Sequence, residues 1–536
     1  MTQKERIYLY DSTLRDGAQT STVNFNSKDK ADIAKMLDGL AVDYIEGGWP
    51  GANPVDDEFF ANLPDLKNSQ FTAFGMTRRA NTSAQNDPGL NALINSAVKS
   101  ICIVGKAWDF HLTNALNISE EENLAMIGQS IAHIKNSGKE PMFDAEHFFD
   151  GYKANPGFAL KVIRTAFENG ARWVVLCDTN GGTLPFEIFD IISEVTKSIP
   201  GENIGIHCHN DTGNAVANSI AAVRAGARQI QGTINGLGER CGNANLTTLI
   251  PILTLKMGYK IGAKSDELKN LVKAANFLDE TLGKDKDLFA PFVGEFAFAH
   301  KGGLHVSAIA KNPKSYEHIE PELVGNRRKI MISNQAGRSN IINRLKEIGL
   351  DDAANDANSE IKYSQISDLV NQVKELEAKG YAYDAADASF ELLAKRALSV
   401  VPTYFNLISF RVLDERKSDL QNVFNLASEA TIKIEIDGKE AMAVAEGNGP
   451  VNALDNALRN ALSKKYPILQ NVFLSDYKVR ILTPSDGTEA ITRVKIESSD
   501  NKGNKWQTIG VSSNIVDASY RALYDSITFK LMKEGQ

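Results

Sequence analysis

The first half of the chain alternates between two hydrophobic textures. Short β-branched or otherwise apolar runs recur at 6–11, 42–47, 71–75, 100–105, 140–145, 172–178, 203–209 and 228–234, each the length of one strand. Between most of them lie segments with helical spacing, such as 27–40 and 119–138. The second opens on Ser119 with Glu122 three residues on and closes at Gly138, a start and a stop for one helix. Eight strand signals separated by helix signals predict an α/β fold, a TIM (β/α)8 barrel, which takes about 250 residues. An open doubly wound sheet is the competing arrangement. The barrel makes one demand, that functional side chains gather at the C-terminal strand ends. Arg15 and Asp16 follow the first strand signal, Glu46 ends the second, and Asp144, Glu146 and His147 close the fifth. Asp178 and Thr179 follow the sixth, His207 and His209 end the seventh, and Asn235 with the loop 236–246 follows the eighth.

Beyond residue 263 the texture changes. Residues 264–400 are polar and helical, with amphipathic stretches at 264–282 and 362–398, interrupted by a glycine-rich segment at 292–313 that carries His300 and His305. Strand texture returns at 401–413. A weak repeat follows: 449–458 aligns with 514–523, matching Val451 to Val516, Ala453 to Ala518 and Ala457-Leu458 to Ala522-Leu523. Two strand-like segments precede each copy, so the pattern predicts two β-β-α units sharing an α+β domain. The expected organisation is a barrel at 1–263, a helical subdomain at 264–400 and a C-terminal domain at 401–536.

Composition narrows the function. The 536 residues are 43% hydrophobic and 24% charged, with net charge −8, an ordinary globular balance and a poor match to nucleic acid or an anionic membrane. Cys102, Cys177, Cys208 and Cys241 form no CxxC pair, which suits a reducing compartment. The N-terminus runs straight into a strand signal without an apolar leader. No run approaches the roughly 20 apolar residues of a membrane span. The expected setting is the cytoplasm.

The stretch "IGIHCHNDTG" (204–213) carries the chemistry. Residues i and i+2 of a strand share a face, so His207 and His209 point together towards the barrel mouth and Cys208 towards the helices. Two imidazoles are half of a metal site; two hydrogen-bonded structural histidines are the plain alternative. Asp16 and Asn243 offer oxygen ligands on the same rim, and on spacing Asp11 competes with Asp16. Two histidines, a carboxylate and an amide suit Mg²⁺, Mn²⁺ or Zn²⁺. The resulting net positive site favours an anionic chelator such as a 2-oxo acid, whose keto group the cation would polarise. Arg15 would steady the developing oxyanion, or would form a salt bridge with Asp16 or another neighbour.

Three segments, "YDSTLRDGAQ" (10–19), "HCHNDTGNAVANS" (207–219) and "GLGERCGNANL" (236–246), resemble signatures of the DRE-TIM metallolyases, and in particular their acetyl-CoA-condensing branch of isopropylmalate, homocitrate and citramalate synthases. The C-terminal repeat resembles the regulatory domain of that branch, so the likeness covers nearly the whole chain. It implies that Asp16, His207, His209 and Asn243 hold a divalent metal and that Arg15 polarises the keto group. Thr179 would hold the 2-oxo acid carboxylate. His305 would help deprotonate the acetyl methyl, with Glu146 as its carboxylate partner. Gln19 and Glu46 join Arg15 and Thr179 as the substrate-binding set. Ala18 departs from the Glu or Asn that many relatives carry.

The implied reaction is a Claisen-type condensation of acetyl-CoA with a 2-oxo acid, followed by thioester hydrolysis. The segments 42–54, 144–156 and 173–185 look most like the group taking pyruvate, and Trp49 would narrow the pocket to a methyl. The resemblance further implies a homodimer, in which the His305 subdomain reaches the partner's barrel, and an amino-acid effector, expected to be isoleucine. The alternatives are an isopropylmalate synthase taking 2-oxoisovalerate, a lyase running the reverse cleavage, and a non-catalytic amino-acid sensor. "TRRAN" (77–81) and Lys106 could meet coenzyme A phosphates. "GNGP" (447–450) reads as a strand-to-helix turn rather than a phosphate loop.

Overall fold

The computed structural model describes residues 5–262, 267–331, 338–350, 360–398, 401–418 and 424–535. Eight parallel strands close a barrel in chain order: β1 (Tyr8–Asp11), β2 (Tyr44–Gly48), β3 (Gln70–Met76), β4 (Ser100–Lys106), β5 (Glu140–Glu146), β6 (Trp173–Asp178), β7 (Ile204–Cys208) and β8 (Gln229–Gly232). Closure comes from β1 pairing with β8, Tyr10 opposite Gln231, which excludes the open sheet. Every strand signal corresponds to one barrel strand.

Strand alternation sorts the side chains into two layers. Ile101, Ile103, Phe143, Val174, Leu176, Ile204, Ile206, Cys208 and Ile230 are buried in the core between strands and helices. Tyr10, Tyr44, Cys102, Met142, Trp173, Val175 and Cys177 form a separate cluster. Cys208 thus faces outward, as its place between the two histidines requires. The helices start where the sequence signals them. Asn26 and Asp29 form a capping box on Ser27–Gly39. Ser119 Oγ accepts the Glu122 N–H at 3.2 Å at the start of Glu120–Asn136. The Glu122 carboxylate does not complete that box; it binds Arg78 at 2.8 Å instead.

The chain divides into two compact units. The first runs to residue 298 and includes 318–328; the second comprises 299–317 and everything from 329 onward. The expected boundaries after 263 and 400, and the start of the stretch 264–282, fall at residues outside the described set. The helix Leu271–Thr281 buries Leu271, Ala274, Ala275 and Leu278 in the barrel's own core. In the second unit, β9 (Ala299–His300) pairs with β10 (Lys329–Ile330), and Gly303–Lys311 is a helix. The stretch 362–398 forms the helices Glu360–Ala378 and Asp387–Leu398, which share a small core through Ile366, Leu369, Val373 and Phe390.

The repeat is present with one more strand per copy. β11 (Asn406–Ser418), β12 (Phe424–Ile436) and β13 (Lys439–Gly447) form an antiparallel sheet followed by the helix Pro450–Leu462. β14 (Val472–Ile481), β15 (Thr492–Asp500) and β16 (Lys505–Ser512) form a second, followed by Ile515–Lys533. The aligned pairs Ala453/Ala518, Ala457/Ala522 and Leu458/Leu523 are all buried. Small residues there let helix and sheet close up: a Cβ on Gly447 would lie 2.4 Å from Ala453 N, and one on Gly510 2.0 Å from Ala518 O. "GNGP" is the turn from β13 into its helix.

Candidate active site

The rim residues converge as the barrel demands. Asp16, His207 and His209 are buried, and one ligand atom of each lies within 4.8 Å of the others. Asp16 Oδ2 is 3.3 Å from His207 Nε2 and 3.9 Å from His209 Nε2, and the two Nε2 atoms are 3.3 Å apart. Asn243 is brought alongside by a backbone bridge to His209. Gly238, at φ +158°, permits this: a Cβ there would lie 2.8 Å from Asn243 Cγ. Asp11 is not part of the cluster, since its carboxylate accepts the Thr13 N–H and O–H, both at 2.9 Å.

Several buried polar atoms here meet no hydrogen-bonding partner among the described residues: Asp16 Oδ1, His209 Nδ1, and both Oδ1 and Nδ2 of Asn243. Burying such atoms unpaired costs about 1–3 kcal/mol each. A divalent cation held by Asp16, His207, His209 and Asn243 would satisfy the oxygen atoms, so the donor set fits the ion. A second contact prepares His207. Its Nδ1 lies 2.9 Å from Gln231 Oε1, and Gln231 Nε2 donates to Asp144 Oδ1 at 3.1 Å. With the amide oxygen accepting the Nδ1 proton, the Nε2 lone pair is directed at the cluster.

The electrostatics match. Burial pushes the Asp16 carboxyl up, but Arg15 and the imidazoles outweigh it and hold it well below the usual carboxylate range. Burial lowers His207, yet its bond to Asp16 and that residue's charge leave it above its ordinary value. His209, buried beside His207, is pushed down to about 3. Beneath them, burial and Glu46 raise Asp144 to about 6.

Arg15 is held on three sides. Its Nε donates to Glu46 Oε2 at 2.8 Å, Nη1 lies 3.5 Å from Asp16 Oδ2, and the guanidinium sits 3.9 Å above the Phe74 ring. Glu46 is fully buried and also accepts the Tyr10 and Ser12 hydroxyls. Glu46 is therefore an anchor for Arg15. Thr179 Oγ1 accepts the His147 N–H at 2.9 Å, and Gln19 is exposed at the rim. Arg15, Asp16, Gln19, Glu146, Thr179, His207 and His209 line one cavity of about 220 Å³ with Phe74, Val104 and Cys177. Glu46 lies behind that wall.

A second cavity of about 410 Å³ shares Val104 and Glu146 with the first and is lined by Trp49, Met76, Leu116, Ile118, Met126, Arg78, Arg79 and Lys106. Trp49 thus borders the neighbouring cavity; it packs edge-on against Phe74 with ring centroids 5.8 Å apart. Glu146 is paired with Lys106. His305 belongs to the second unit, where it is exposed and stacks on Tyr316 with centroids 4.2 Å apart. Sequence reasoning did not identify Gln231 or Phe74 as parts of the site. The "QIQ" of β8, polar at both inward positions of a buried strand, was the available signal for Gln231.

Comparisons with known proteins agree with this geometry. The HMGL-like family model matches residues 6–277, the homocitrate synthase post-HMGL domain-like model 292–380, and the LeuA allosteric (dimerisation) domain 384–531. The chain is 50% identical to an (R)-citramalate synthase of Aquifex aeolicus over 99% of both chains. It is 49% identical to one from Geobacter sulfurreducens over 99% of this chain and 98% of that one. A 2-isopropylmalate synthase of Methanocaldococcus jannaschii is 32% identical over 99% of this chain and 95% of its own.

Proposed function

Since the chain belongs to the HMGL-like family and, within it, to the (R)-citramalate synthases, we propose that it condenses acetyl-CoA with pyruvate and water to give (R)-citramalate and free coenzyme A. One observation in the structure carries the reading: the Asp16–His207–His209 cluster with its orphaned oxygen atoms, beside an arginine fixed by Glu46. The identity to isopropylmalate synthases is lower over the same length, which favours pyruvate over 2-oxoisovalerate.

A bound Mg²⁺, Mn²⁺ or Zn²⁺ would act as a Lewis acid towards the keto oxygen. The chain's own residues do the rest. Thr179 and Arg15 hold the acid's carboxylate and keto oxygen in the smaller cavity. His305, supplied across a homodimer, takes the methyl proton with Glu146 as its carboxylate partner. The resulting carbon nucleophile bonds to the keto carbon while Arg15 receives the charge moving onto the keto oxygen. Water then adds to the thioester carbonyl, and the C–S bond breaks to release coenzyme A.

The dimer reading has physical support in the C-terminal sheets. Leu413, Met442, Val444 and Phe473 are exposed there, an apolar surface of the kind that partners cover. Regulation by isoleucine through this domain, and action in the cytoplasm, complete the proposal. No helix among the described residues is long and apolar enough to cross a membrane.

The deciding experiment is coenzyme A release from acetyl-CoA by metal-stripped and metal-restored protein against pyruvate, 2-oxobutyrate, 2-oxoisovalerate and 2-oxoglutarate. Metal-dependent release that prefers pyruvate is expected. Preference for 2-oxoisovalerate would make the chain an isopropylmalate synthase, and no release with any acceptor would turn attention to the lyase direction. An unchanged rate in millimolar isoleucine would remove the effector assignment.

A further inference from the structure

Deprotonating the acetyl methyl puts negative charge on the thioester oxygen, and that charge needs a donor of its own. Arg15 and the Asp16–His207–His209 cluster line the smaller cavity, which the condensation proposed above assigns to the keto acid. The larger cavity beside it has an apolar wall of Met76, Leu116, Ile118 and Met126, with Arg78, Arg79 and Lys106 also on its lining, a mixture suited to an uncharged acyl arm that carries an anionic tail. The two cavities meet at Val104 and Glu146, which line both.

Lys106 stands at that junction. It ends β4 directly in register with Glu146 on β5, and its ammonium is paired with Glu146 Oε2. Both side chains are partly open, 19% and 25% exposed. The Arg78 guanidinium, on the same cavity, is committed elsewhere: Nε donates to Gln129 at 2.7 Å, and Nη1 to Glu122 at 2.8 Å and to the Arg79 carbonyl at 3.0 Å. An ammonium has three donors, and its bond to Glu146 uses one.

Building on the condensing reaction proposed above, we propose that the larger cavity receives the acyl arm of the thioester and that Lys106 is a catalytic residue that hydrogen-bonds the thioester oxygen while the methyl loses its proton beside Glu146. A carboxylate and an ammonium held side by side match the substrate, whose methyl C–H and carbonyl oxygen sit on adjacent carbons. The C–H bond breaks and its proton passes to the His305–Glu146 pair. The bonding electrons form a C=C bond, and the carbonyl π pair moves onto the oxygen held by Lys106. When the C=C pair attacks the keto carbon, the thioester carbonyl reforms and Lys106 keeps its proton throughout.

The test is Lys106→Met, which keeps the length of the stem and removes the charge, in the full-length metal-loaded protein. The expected result is a fall in kcat of about 10²–10³-fold, with the KM for pyruvate and the Mn²⁺ affinity by electron paramagnetic resonance unchanged, and with Lys106→Arg retaining more activity than Lys106→Met. In a Glu146→Gln background, Lys106→Met should still lose a further factor of about 10 or more. A full rate in Lys106→Met overturns the proposal. So does a loss that vanishes in the Glu146→Gln background, because Lys106 would then act only through Glu146. If Lys106→Met does not fold, Lys106→Ala with added ethylamine decides: a rate rising with amine supports the assignment, and a flat response overturns it. Wild-type protein that releases no coenzyme A with any 2-oxo acid defeats the condensation itself, whereas an active wild type with an equally active Lys106→Met defeats only the role of Lys106.

Discussion

The barrel and the C-terminal repeats both lay helices against sheets, and they treat polarity in opposite ways. In the barrel the sheet closes on itself, so no edge remains and alternation forces one set of side chains inward. Towards the C-terminal strand ends that interior set carries Glu46, Asp144, Glu146 and His207. In the repeats, two open three-stranded sheets bury one face under a helix and leave apolar side chains such as Met442, 63% exposed, on the other. A closed sheet concentrates chemistry inside one rim, and an open one leaves surface for association. The two cores, one around the barrel strands and one around Ile432, Leu458 and Leu523, therefore carry separate duties.

The separation can be broken by experiment. The largest effect is expected from His207→Ala or Asp16→Asn, which should lower coenzyme A release by on the order of 10³-fold or more, measured by thiol titration, while melting of the C-terminal unit stays the same. His305→Ala should cost about 10²–10⁴-fold in kcat yet leave Mn²⁺ affinity untouched; a drop in that affinity would show that the second unit also builds the metal site. Leu458→Ala, at a fully buried position, should destabilise the C-terminal unit by about 2–5 kcal/mol in calorimetry without changing metal affinity. Gln231→Leu, which removes the acceptor for His207 Nδ1, should weaken metal binding by about 10–100-fold in a titration that leaves the fold intact.

The smallest effect is a pH dependence. In the metal-free site His207 is held above its ordinary value and His209 is pushed down to about 3. His207 therefore keeps its proton to higher pH than an ordinary imidazole does, and a cation has to displace that proton. Metal affinity should fall about tenfold for each pH unit below the His207 pKa and level off above it, with about one proton released per metal bound on the falling limb, readable by calorimetry in two buffers of different ionisation enthalpy. Release of two protons would show that His209 titrates with its neighbour.

Much of this was legible in the chain. All eight barrel strands follow from apolar runs, and the HxH pair declared its facing through alternation alone. The strand β14 was harder to see. "VFLSDYKVRI" scatters charges through its length, and the sheet register slips between Leu474 and Asp476, so no clean period of two survives a bulge on an edge strand. Trp49 sat on the right rim but in the neighbouring cavity, with Phe74 intervening. Pocket shape depends on how rings stack across strands, which periodicity does not encode.

The sequence by itself determined the alternation of strand and helix, the strand ends that carry polar residues, and the internal repeat, because each is a local matter of spacing and propensity. Spacing left Asp11 level with Asp16 until the motif's resemblance chose Asp16, and only the tertiary structure decided that Glu46 clamps Arg15, that Gln231 orients His207, and that Lys106 meets Glu146. Those pairings join residues far apart in the chain, and they exist because barrel closure fixes which strands are neighbours and in what register they lie.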